Sequence, residues 1–250
     1  MIKLEHVVME SPEQMEFIIE GMRNPMNSWD KSDSDICHPL NGCYYNCDKV
    51  DCTVEKHLKL GANDRSLMLR LSLAGTDHRK YMRMMPVCVR ITAPLYWWKE
   101  FDTYKVGTVA NSCSTMHKIQ AKEFTLSDFS YEHLMCDFSL ENELTYWNND
   151  DEDVLCFTSK SLLENTIAVL NHHRMKYLET NDKRYWWQMI QLLPSSYNQT
   201  RNVMMNYEVL ANIYKSRRNH KLDEWITFCD WIEGLPYREI ILTAAGVKEV

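Results

Sequence analysis

The sequence predicts an α+β fold with a small sheet and a helix-rich C-terminal half. Residues 3–9 and the β-branched residues 86–92 have strand character, whereas the last ninety residues predict helices throughout. Only 7 glycines and 7 prolines occur in 250 residues, which argues against collagen-like and β-solenoid architectures. Because the chain has no internal repeat and no Pro/Ser linker, we expect a single domain over residues 1–250.

The first elements are a strand and a helix. Residues 3–9 alternate weakly and include two adjacent valines, which is typical of an opening strand. Ser11 and Pro12 then predict a helix over 12–22, because serine is a frequent N-cap and proline is tolerated at the first helical position. Residues 24–54 change to Asp, Ser, Asn, Cys and Gly without periodicity, and this predicts a long loop insertion.

The middle of the chain predicts two more strands and a helix. Leucines at every second position of 67–73 indicate a half-buried strand, and 86–92 predicts the next strand. Residues 93–104 are rich in aromatics and predict a buried helix that leads into a turn at Gly107. The acidic residues 141–153 predict a second loop insertion.

Four helices are predicted in the C-terminal part, over 161–178, 182–193, 199–216 and 221–233. In the third, apolar residues recur at three- and four-residue spacing and line one face, namely Val203, Tyr207, Leu210, Ala211 and Tyr214. Pro194 and Pro236 lie near predicted helix ends.

The composition bears on location and partners. The longest apolar runs are a few residues, against the roughly 20 that a bilayer crossing needs, and the N-terminal residues lack the features of a secretory signal. We therefore expect a cytoplasmic protein without a membrane partner, in which most of the 9 cysteines are free thiols. The net charge of −7 disfavours binding to a nucleic-acid polymer.

Charge is unevenly distributed along the chain. Residues 128–164 carry ten acidic residues and one lysine, whereas 174–221 carry nine Lys or Arg and three acidic residues. The second segment would attract a small anion such as a nucleotide phosphate. A solvated basic helix face has the same composition, and the charge pattern does not distinguish the two.

A cysteine-rich stretch lies within the first predicted insertion and consists of Cys37, His38, Cys43, Cys47 and Cys52. These residues are sufficient to ligate a tetrahedral zinc ion, but none of the spacings is the tight C-x2-C of a zinc knuckle. Free loop thiols are therefore the favoured interpretation, and no metal site is predicted. The sequence also lacks the Walker, G-x-G-x-x-G, G-x-S-x-G and H-E-x-x-H motifs.

Two segments carry residues suited to ligand recognition. Residues 91–117 run from a helix into a loop rich in Thr, Asn and Ser, which suits phosphate or ribose but also an ordinary capped turn. Residues 192–226 carry polar helix positions followed by Arg217 and Arg218, a pattern that binds an anion or caps a helix C-terminus.

Together these segments resemble the flavin-dependent thymidylate synthases. That family has a helix ending in Arg-His-Arg, then a small-residue turn with Asn and Ser; later come Leu-Pro, an Asn-x-Arg-x-Leu helix and a further Arg. The matching residues here are Gly107, Thr108, Asn111, Ser114, Leu193-Pro194, Asn206, Leu210 and Arg217. The resemblance covers most of the chain except the insertions near 24–54 and 141–153, and it implies this family's fold.

The resemblance also implies a function and a site. It implies bound FAD and reductive methylation of deoxyuridine monophosphate (dUMP) or a related pyrimidine deoxynucleotide, with NADPH and methylenetetrahydrofolate as candidate co-substrates. The implied cofactor-binding residues are Lys105, Thr108, Asn111, Asn206 and Arg217. The implied substrate-binding residues are Ser114, Arg201, Glu208 and Arg218. No enzyme nucleophile is implied, and the family's active site between subunits implies a homotetramer.

Three positions depart from the family pattern. Thr103-Tyr104-Lys105 stands in place of Arg-His-Arg, Glu208 in place of the helix arginine, and Thr227 lies near the place of a third arginine. Since the family's arginines hold the substrate phosphate and base, Glu208 is expected to weaken phosphate binding. Two alternatives to a methyltransferase therefore stay open: a flavin- or nucleotide-binding protein that sequesters or senses its ligand, and an interaction module with an aromatic surface.

Overall fold

The computed structural model describes residues 1–37, 56–136 and 158–247, and the backbones of 145–146 and 155–156. The strands are β1 (Lys3–Met9), β2 (Asp35–Cys37), β3 (His57–Lys59), β4 (Pro86–Pro94), β5 (Val109–Ser112), β6 (Thr145–Tyr146), β7 (Leu155–Cys156) and β8 (Asn198–Asn206). The helices are α1 (Pro12–Arg23), α2 (Ala62–Leu73), α3 (Lys80–Arg83), α4 (Leu95–Phe101), α5 (Thr115–Lys118), α6 (Ser159–Thr180), α7 (Lys183–Leu192), α8 (Tyr207–Arg217), α9 (Asp223–Glu233) and α10 (Arg238–Ala245). This mixture confirms the α+β class.

The main sheet has four strands in the order β1-β4-β8-β5. Alternate residues of its two central strands are buried, namely Val87, Val89 and Ile91 in β4 and Val203 and Met205 in β8. Because successive side chains of a strand point to opposite faces, this alternation marks one buried face of the sheet. Two further two-stranded antiparallel sheets pair β2 with β3 and β6 with β7.

The chain folds into two units, each assembled from segments that are distant in sequence. The first unit comprises Met1–Lys3, Thr92–Asp102 and Ser112–Arg201, and the second comprises Leu4–Ile91, Thr103–Asn111 and Asn202–Val250. The expectation of a single domain over 1–250 stays a prediction.

The first unit is built on a helical hairpin of α6 and α7. Its core contains Ile119, Phe124, Phe129, Leu163, Ile167, Leu170 and Met189. Thr158 and Ser161 form a capping box at the start of α6, and Asp182 caps α7. These two helices confirm the predictions over 161–178 and 182–193. The aromatic helix predicted over 93–104 is α4, which buries Trp97, Trp98 and Phe101.

In the second unit, α10 packs against both α2 and α8. Helix α1 begins as predicted, because Ser11 and Gln14 form a capping box before Pro12. Its buried face consists of Met15, Ile18, Ile19 and Met22. Strand β1 and helices α1 and α9 confirm the predictions for 3–9, 12–22 and 221–233, whereas α10 was not anticipated.

The predicted strand over 67–73 is wrong, because these residues belong to helix α2. The buried residues of α2 are Asp64, Leu67, Met68 and Ser72, a helical spacing, whereas Leu73 is 65% exposed. The regular leucine pattern therefore falls on several faces of a helix. The Asp33 carboxylate accepts the backbone N–H groups of Asn63 and Asp64, so the start of α2 depends on a residue outside the predicted pattern.

The predicted helix over 199–216 is wrong in its first half. Residues up to Asn206 form strand β8, and α8 begins only at Tyr207. Val203 consequently lies in the sheet, although Tyr207, Leu210, Ala211 and Tyr214 do share the buried face of α8. The strand is stabilised by its neighbours β4 and β5, which local periodicity does not reveal.

Both predicted insertions fall largely outside the described residues. Within 24–54, the structure shows two 3₁₀ turns (Asn24–Met26 and Trp29–Lys31) and β2; His38, Cys43, Cys47 and Cys52 lie outside its description. Of 141–153, only the backbone of β6 is described. Within the described part of the chain, no group of three or more metal-ligating side chains comes together, and no helix is long and apolar enough to cross a membrane.

Candidate functional site

In the second unit, the segment 104–108, here called the α8 turn, lies along helix α8. At the C-terminal end of α8, the Tyr104 hydroxyl accepts a hydrogen bond from Arg217 Nε at 2.9 Å. At the N-terminal end, Gly107 lies against Asn206 and Val209. The turn therefore runs antiparallel to α8, and it brings predicted cofactor-binding residues from both sequence segments to one helix.

Gly107 and Asn206 fit each other closely. Gly107 has a φ of +78°, a backbone conformation that disfavours residues with a Cβ, and a Cβ there would lie 2.9 Å from Asn206 Nδ2. Asn206 is the N-cap of α8, because its Oδ1 accepts the Val209 N–H at 3.0 Å. The Asn206 amide is thus held through its oxygen on the helix, and its nitrogen lies where a side chain at position 107 would clash.

Thr108 has a polar atom without a partner. Its backbone N–H is 3.5 Å from the Lys105 carbonyl oxygen, while the side chain of Lys105 is exposed. Thr108 Oγ1 is buried and finds no hydrogen-bond partner among the residues that the structure describes. A buried hydroxyl left in this state costs about 1–3 kcal/mol, so the atom is a candidate contact for a bound group.

Arg217 is held by two aromatic side chains. Its guanidinium carbon lies 4.8 Å from the centre of the Trp225 ring and 5.7 Å from that of Tyr104. These cation–π contacts, together with the bond to the Tyr104 hydroxyl, fix a positive charge at the end of α8. The helix dipole favours a cation there.

Glu208 lies in the first turn of α8 and is paired with a cation. Its Oε2 is 2.8 Å from Arg83 Nε, and its Oε1 is buried with no hydrogen-bond partner in the described part of the chain. Arg83 is 45% exposed and also donates from Nη2 to the Thr76 carbonyl oxygen. The expected repulsion between Glu208 and a phosphate is therefore offset by Arg83, a partner that the sequence analysis did not identify.

The structure separates Arg218 from Arg217. Arg218 Nη1 pairs with Asp230 at 2.5 Å, and its Nε lies 3.3 Å from Glu233. The hydrogen bond to Asp230 raises the pKa of Arg218, although burial opposes this shift. Because adjacent helix residues point about 100° apart, the Arg-Arg sequence does not form one anion-binding pair.

The first unit contains Ser114 and Arg201, two of the predicted substrate-binding residues. Ser114 is exposed, and its Oγ accepts the His117 N–H at the start of α5. Arg201 pairs with Asp102 at 2.6 Å, and its guanidinium carbon lies 4.1 Å from the Trp98 ring centre. Both residues are therefore engaged within the protein.

Gln199 connects these two regions of the first unit. Its Oε1 accepts Arg201 Nε–H at 2.9 Å, and its Nε2 donates to the Cys113 carbonyl oxygen and to Thr115 Oγ1. Ser114 lies between the two residues that Gln199 contacts. Gln199 was not selected from the sequence, since nothing in its own segment signals contacts to residues 113–115.

Asn111 lies in β5 and lines a cavity of about 310 Å³ on the exposed face of the main sheet within the second unit. Polar walls come from His6, Arg90, Asn111 and Asn202, and apolar walls include Val8, Val109 and Met204. Asn111 is thus close to the α8 turn in sequence, but it faces this cavity rather than helix α8.

Solved structures share this architecture. Thymidylate synthase X (ThyX) from Helicobacter pylori, crystallised with FAD and dUMP, matches with a TM-score of 0.57 and 13% identity over 99% of both chains. A second structure, of the H. pylori flavin-dependent thymidylate synthase ThyX with FAD and dUMP, matches with a TM-score of 0.56 and 14% identity over 97% of both chains. The chain has the ThyX fold.

A UMP/dUMP methylase, PolB from Streptomyces cacaoi bound with 5-Br UMP, also has this fold. It matches with a TM-score of 0.56 and 12% identity over 99% of this chain and 96% of that chain. No protein-family model matches the sequence, and no curated protein sequence matches it. The ThyX fold predicted from the sequence resemblance is confirmed, while the roles of the nine predicted site residues stay predictions.

Proposed function

We propose that this chain is a divergent ThyX-like protein that binds FAD and a pyrimidine nucleotide. The proposal rests on the ThyX fold, which aligns over 99% of this chain and 99% of an H. pylori ThyX crystallised with FAD and dUMP. PolB, which has the same fold, is a methylase of UMP and dUMP. A pyrimidine monophosphate is therefore the ligand class common to these proteins.

The residues around α8 fit a flavin nucleotide. FAD presents two phosphates, ribityl and ribose hydroxyls and planar rings, and the α8 turn offers the unpartnered Thr108 hydroxyl beside the fixed Asn206 amide. Arg217 supplies a cation held between aromatic rings. Thr108, Asn206 and Arg217, with the exposed Lys105, would hold the cofactor, whose reduced ring would supply a hydride for reductive methylation.

In this proposal, the pyrimidine nucleotide is bound by Ser114 and Arg201. Gln199 orients both the segment around Ser114 and the side chain of Arg201. The guanidinium of Arg201 lies over the ring of Trp98. Asp102 already neutralises Arg201, so a phosphate would have to compete with this carboxylate. Phosphate binding is therefore expected to be weaker than at a site with unpaired arginines.

Because Glu208 is paired with Arg83, we expect methylation of dUMP to be slow or absent. The pair with Arg83 carries no net charge, whereas the resemblance places an arginine of the family at position 208. Fewer cations facing a bound nucleotide lower its affinity and fix its orientation less precisely. A protein that binds flavin and nucleotide without methylation, and so sequesters or senses its ligand, is the second candidate function.

The two candidate functions can be distinguished by measuring binding and turnover in the same preparation. Titration calorimetry with dUMP, UMP and deoxyuridine, in the presence of FAD, is expected to show binding of at least one of them. A tritium-release assay with dUMP, methylenetetrahydrofolate and NADPH, run beside an active ThyX, is expected to show much slower turnover. Robust turnover would contradict the weight given to Glu208, and no binding of FAD or any pyrimidine would contradict the proposed function itself.

A further inference from the structure

A second cavity lies in the second unit, beside the C-terminal end of α1 and the face of α2. Its volume is about 390 Å³, and three cationic side chains line it: Arg23, Lys31 and Arg70. This volume falls within the range of about 300–1,000 Å³ that is typical of small-molecule sites. None of the cavity's lining residues belongs to the α8 turn or to helix α8.

Arg23 is buried in the wall of this cavity and is only 3% exposed. Its Nε donates to Asp64 Oδ1 at 2.6 Å, its Nη1 donates to the carbonyl oxygen and the Oγ of Ser28, and its Nη2 donates to the Lys31 carbonyl oxygen at 3.0 Å. These bonds use four of the five N–H groups of a guanidinium. The second hydrogen on Nη2 has no acceptor among the described residues, so a buried charged donor remains available.

The acidic groups of this region are already occupied. Asp64 Oδ2 accepts hydrogen bonds from the Ser32 and Ser34 hydroxyls and from the backbone N–H groups of Asp33 and Ser34, while Oδ1 accepts Arg23. The Asp33 carboxylate accepts two N–H groups at the start of α2. Both carboxylates are therefore committed to backbone and side-chain donors.

Lys31 and Arg70 are exposed, and neither forms an ion pair with any residue that the structure describes. The cavity thus combines two unpaired cations with the spare donor of a buried arginine. The hydroxyls of Ser28 and Ser66 lie in the same wall, while Met26 and Leu67 supply an apolar surface. This combination suits an anionic head group attached to an apolar or ring-shaped remainder.

We propose that this cavity binds a small molecule that carries a phosphate group. Lys31 and Arg70 contact the phosphate from the open side, and Arg23 Nη2 donates to it from the buried side. Met26 and Leu67 pack against the rest of the ligand. The site does not depend on the proposed FAD and pyrimidine function, because it uses different residues.

The test is titration calorimetry of the full chain with phenyl phosphate, with phenol as the uncharged probe. Phenyl phosphate is expected to bind, and phenol is not. Lys31→Gln and Arg70→Gln are each expected to raise the dissociation constant for phenyl phosphate at least fivefold, without lowering the melting temperature of the free protein. Arg65→Gln is the matched control, since Arg65 lies on the same helix but pairs with Glu239 at 2.8 Å; it should change the constant less than twofold.

Three results would overturn the proposal. The first is no binding of phenyl phosphate at millimolar concentration. The second is an equal loss of affinity in Arg65→Gln and Arg70→Gln, which would show a general charge effect. The third is displacement of phenyl phosphate by saturating dUMP or FAD, which would assign the probe to the proposed nucleotide or cofactor site instead. Unchanged phenyl phosphate binding in the presence of both ligands supports a separate site.

Discussion

Two arginine–carboxylate pairs in the second unit differ in their burial and in how completely the carboxylate oxygens are hydrogen-bonded. In the pair of Arg23 and Asp64, both side chains are at most 4% exposed and both carboxylate oxygens accept hydrogen bonds. In the pair of Arg83 and Glu208, the arginine is 45% exposed, and Glu208 Oε1 is buried with no partner among the described residues. In the first pair the carboxylate is fully bonded within the protein. The second pair lies in the first turn of α8, beside the turn that carries Thr108 Oγ1, and its carboxylate keeps an oxygen for which the described residues offer no partner, as expected near a ligand site.

The largest expected effect is the difference in stability between the two pairs. Asp64→Asn leaves the buried Arg23 without its counter-charge and should lower the free energy of unfolding by about 3–5 kcal/mol. Glu208→Gln leaves Arg83 in contact with solvent and should cost less than about 1 kcal/mol. Urea denaturation of both variants measures the two values, and equal losses would contradict the distinction between a buried pair with a fully bonded carboxylate and a partly exposed pair.

The next effect concerns ligand affinity at the end of α8. Arg217→Gln removes the cation held by Tyr104 and Trp225 and should weaken FAD binding by about 1.5–3 kcal/mol, roughly ten- to a hundredfold. Arg218→Gln is the matched control, because Arg218 is paired with Asp230 and Glu233. The affinity of this variant for FAD should stay within twofold of that of the wild type. Fluorescence titration with FAD checks both variants. If Arg217→Gln binds FAD normally, Arg217 serves only to stabilise the α8 turn.

Thr108 gives a smaller effect with opposite signs for stability and binding. Thr108→Val replaces the unpartnered buried hydroxyl with a methyl group and should raise the free energy of unfolding of the ligand-free protein by up to about 1 kcal/mol. The same change should weaken FAD binding several-fold, since the hydroxyl is the proposed contact. Thermal unfolding with and without FAD measures both effects, and lower stability of the free variant would show that Thr108 Oγ1 is hydrogen-bonded in solution.

The smallest effect is the pH dependence of the stability that the Arg23–Asp64 pair contributes. Burial raises the pKa of Asp64, but the hydrogen bonds from Ser34, Arg23 and Ser32 outweigh this and lower it overall. A lowered pKa in the folded state means that the stabilisation is complete above the usual aspartate pKa of about 4 and is lost as the pH falls through the lower value. The stability difference between wild type and Asp64→Asn should therefore shrink below about pH 4. A constant difference down to about pH 2 would contradict this linkage.

Elements that depend on neighbouring residues were predictable from the sequence, whereas elements that depend on distant ones were not. Helix α1 was predicted because Ser11 and Pro12 are adjacent and act locally, and the structure adds a capping box between Ser11 and Gln14. The structure of β8 was missed because a strand depends on neighbours that are distant in sequence, here β4 and β5. Helix α2 was missed because its leucines alternate by chance, and because its N-terminal N–H groups are capped by Asp33 from another segment.

The site was predictable to a similar degree. Gly107, Asn206 and Arg217 were identified from the resemblance to the family, and the structure places all three along helix α8. The residues that modify the charge and hydrogen bonding of the predicted site residues were not identified. Arg83 pairs with Glu208, and Gln199 bonds to the segment around Ser114, and both partners are distant in sequence. An Asn or Arg at a family spacing therefore predicts a location, whereas its charge and free hydrogen-bonding groups depend on tertiary contacts.

The central claim, that this ThyX fold holds a flavin, is tested most directly by titrating the purified wild-type protein with FAD. We predict a saturable change in flavin fluorescence with about one FAD per chain, and an increase in melting temperature that grows with FAD concentration. Neither a fluorescence change nor a thermal shift at saturating FAD, in protein that is folded by circular dichroism, would contradict the claim.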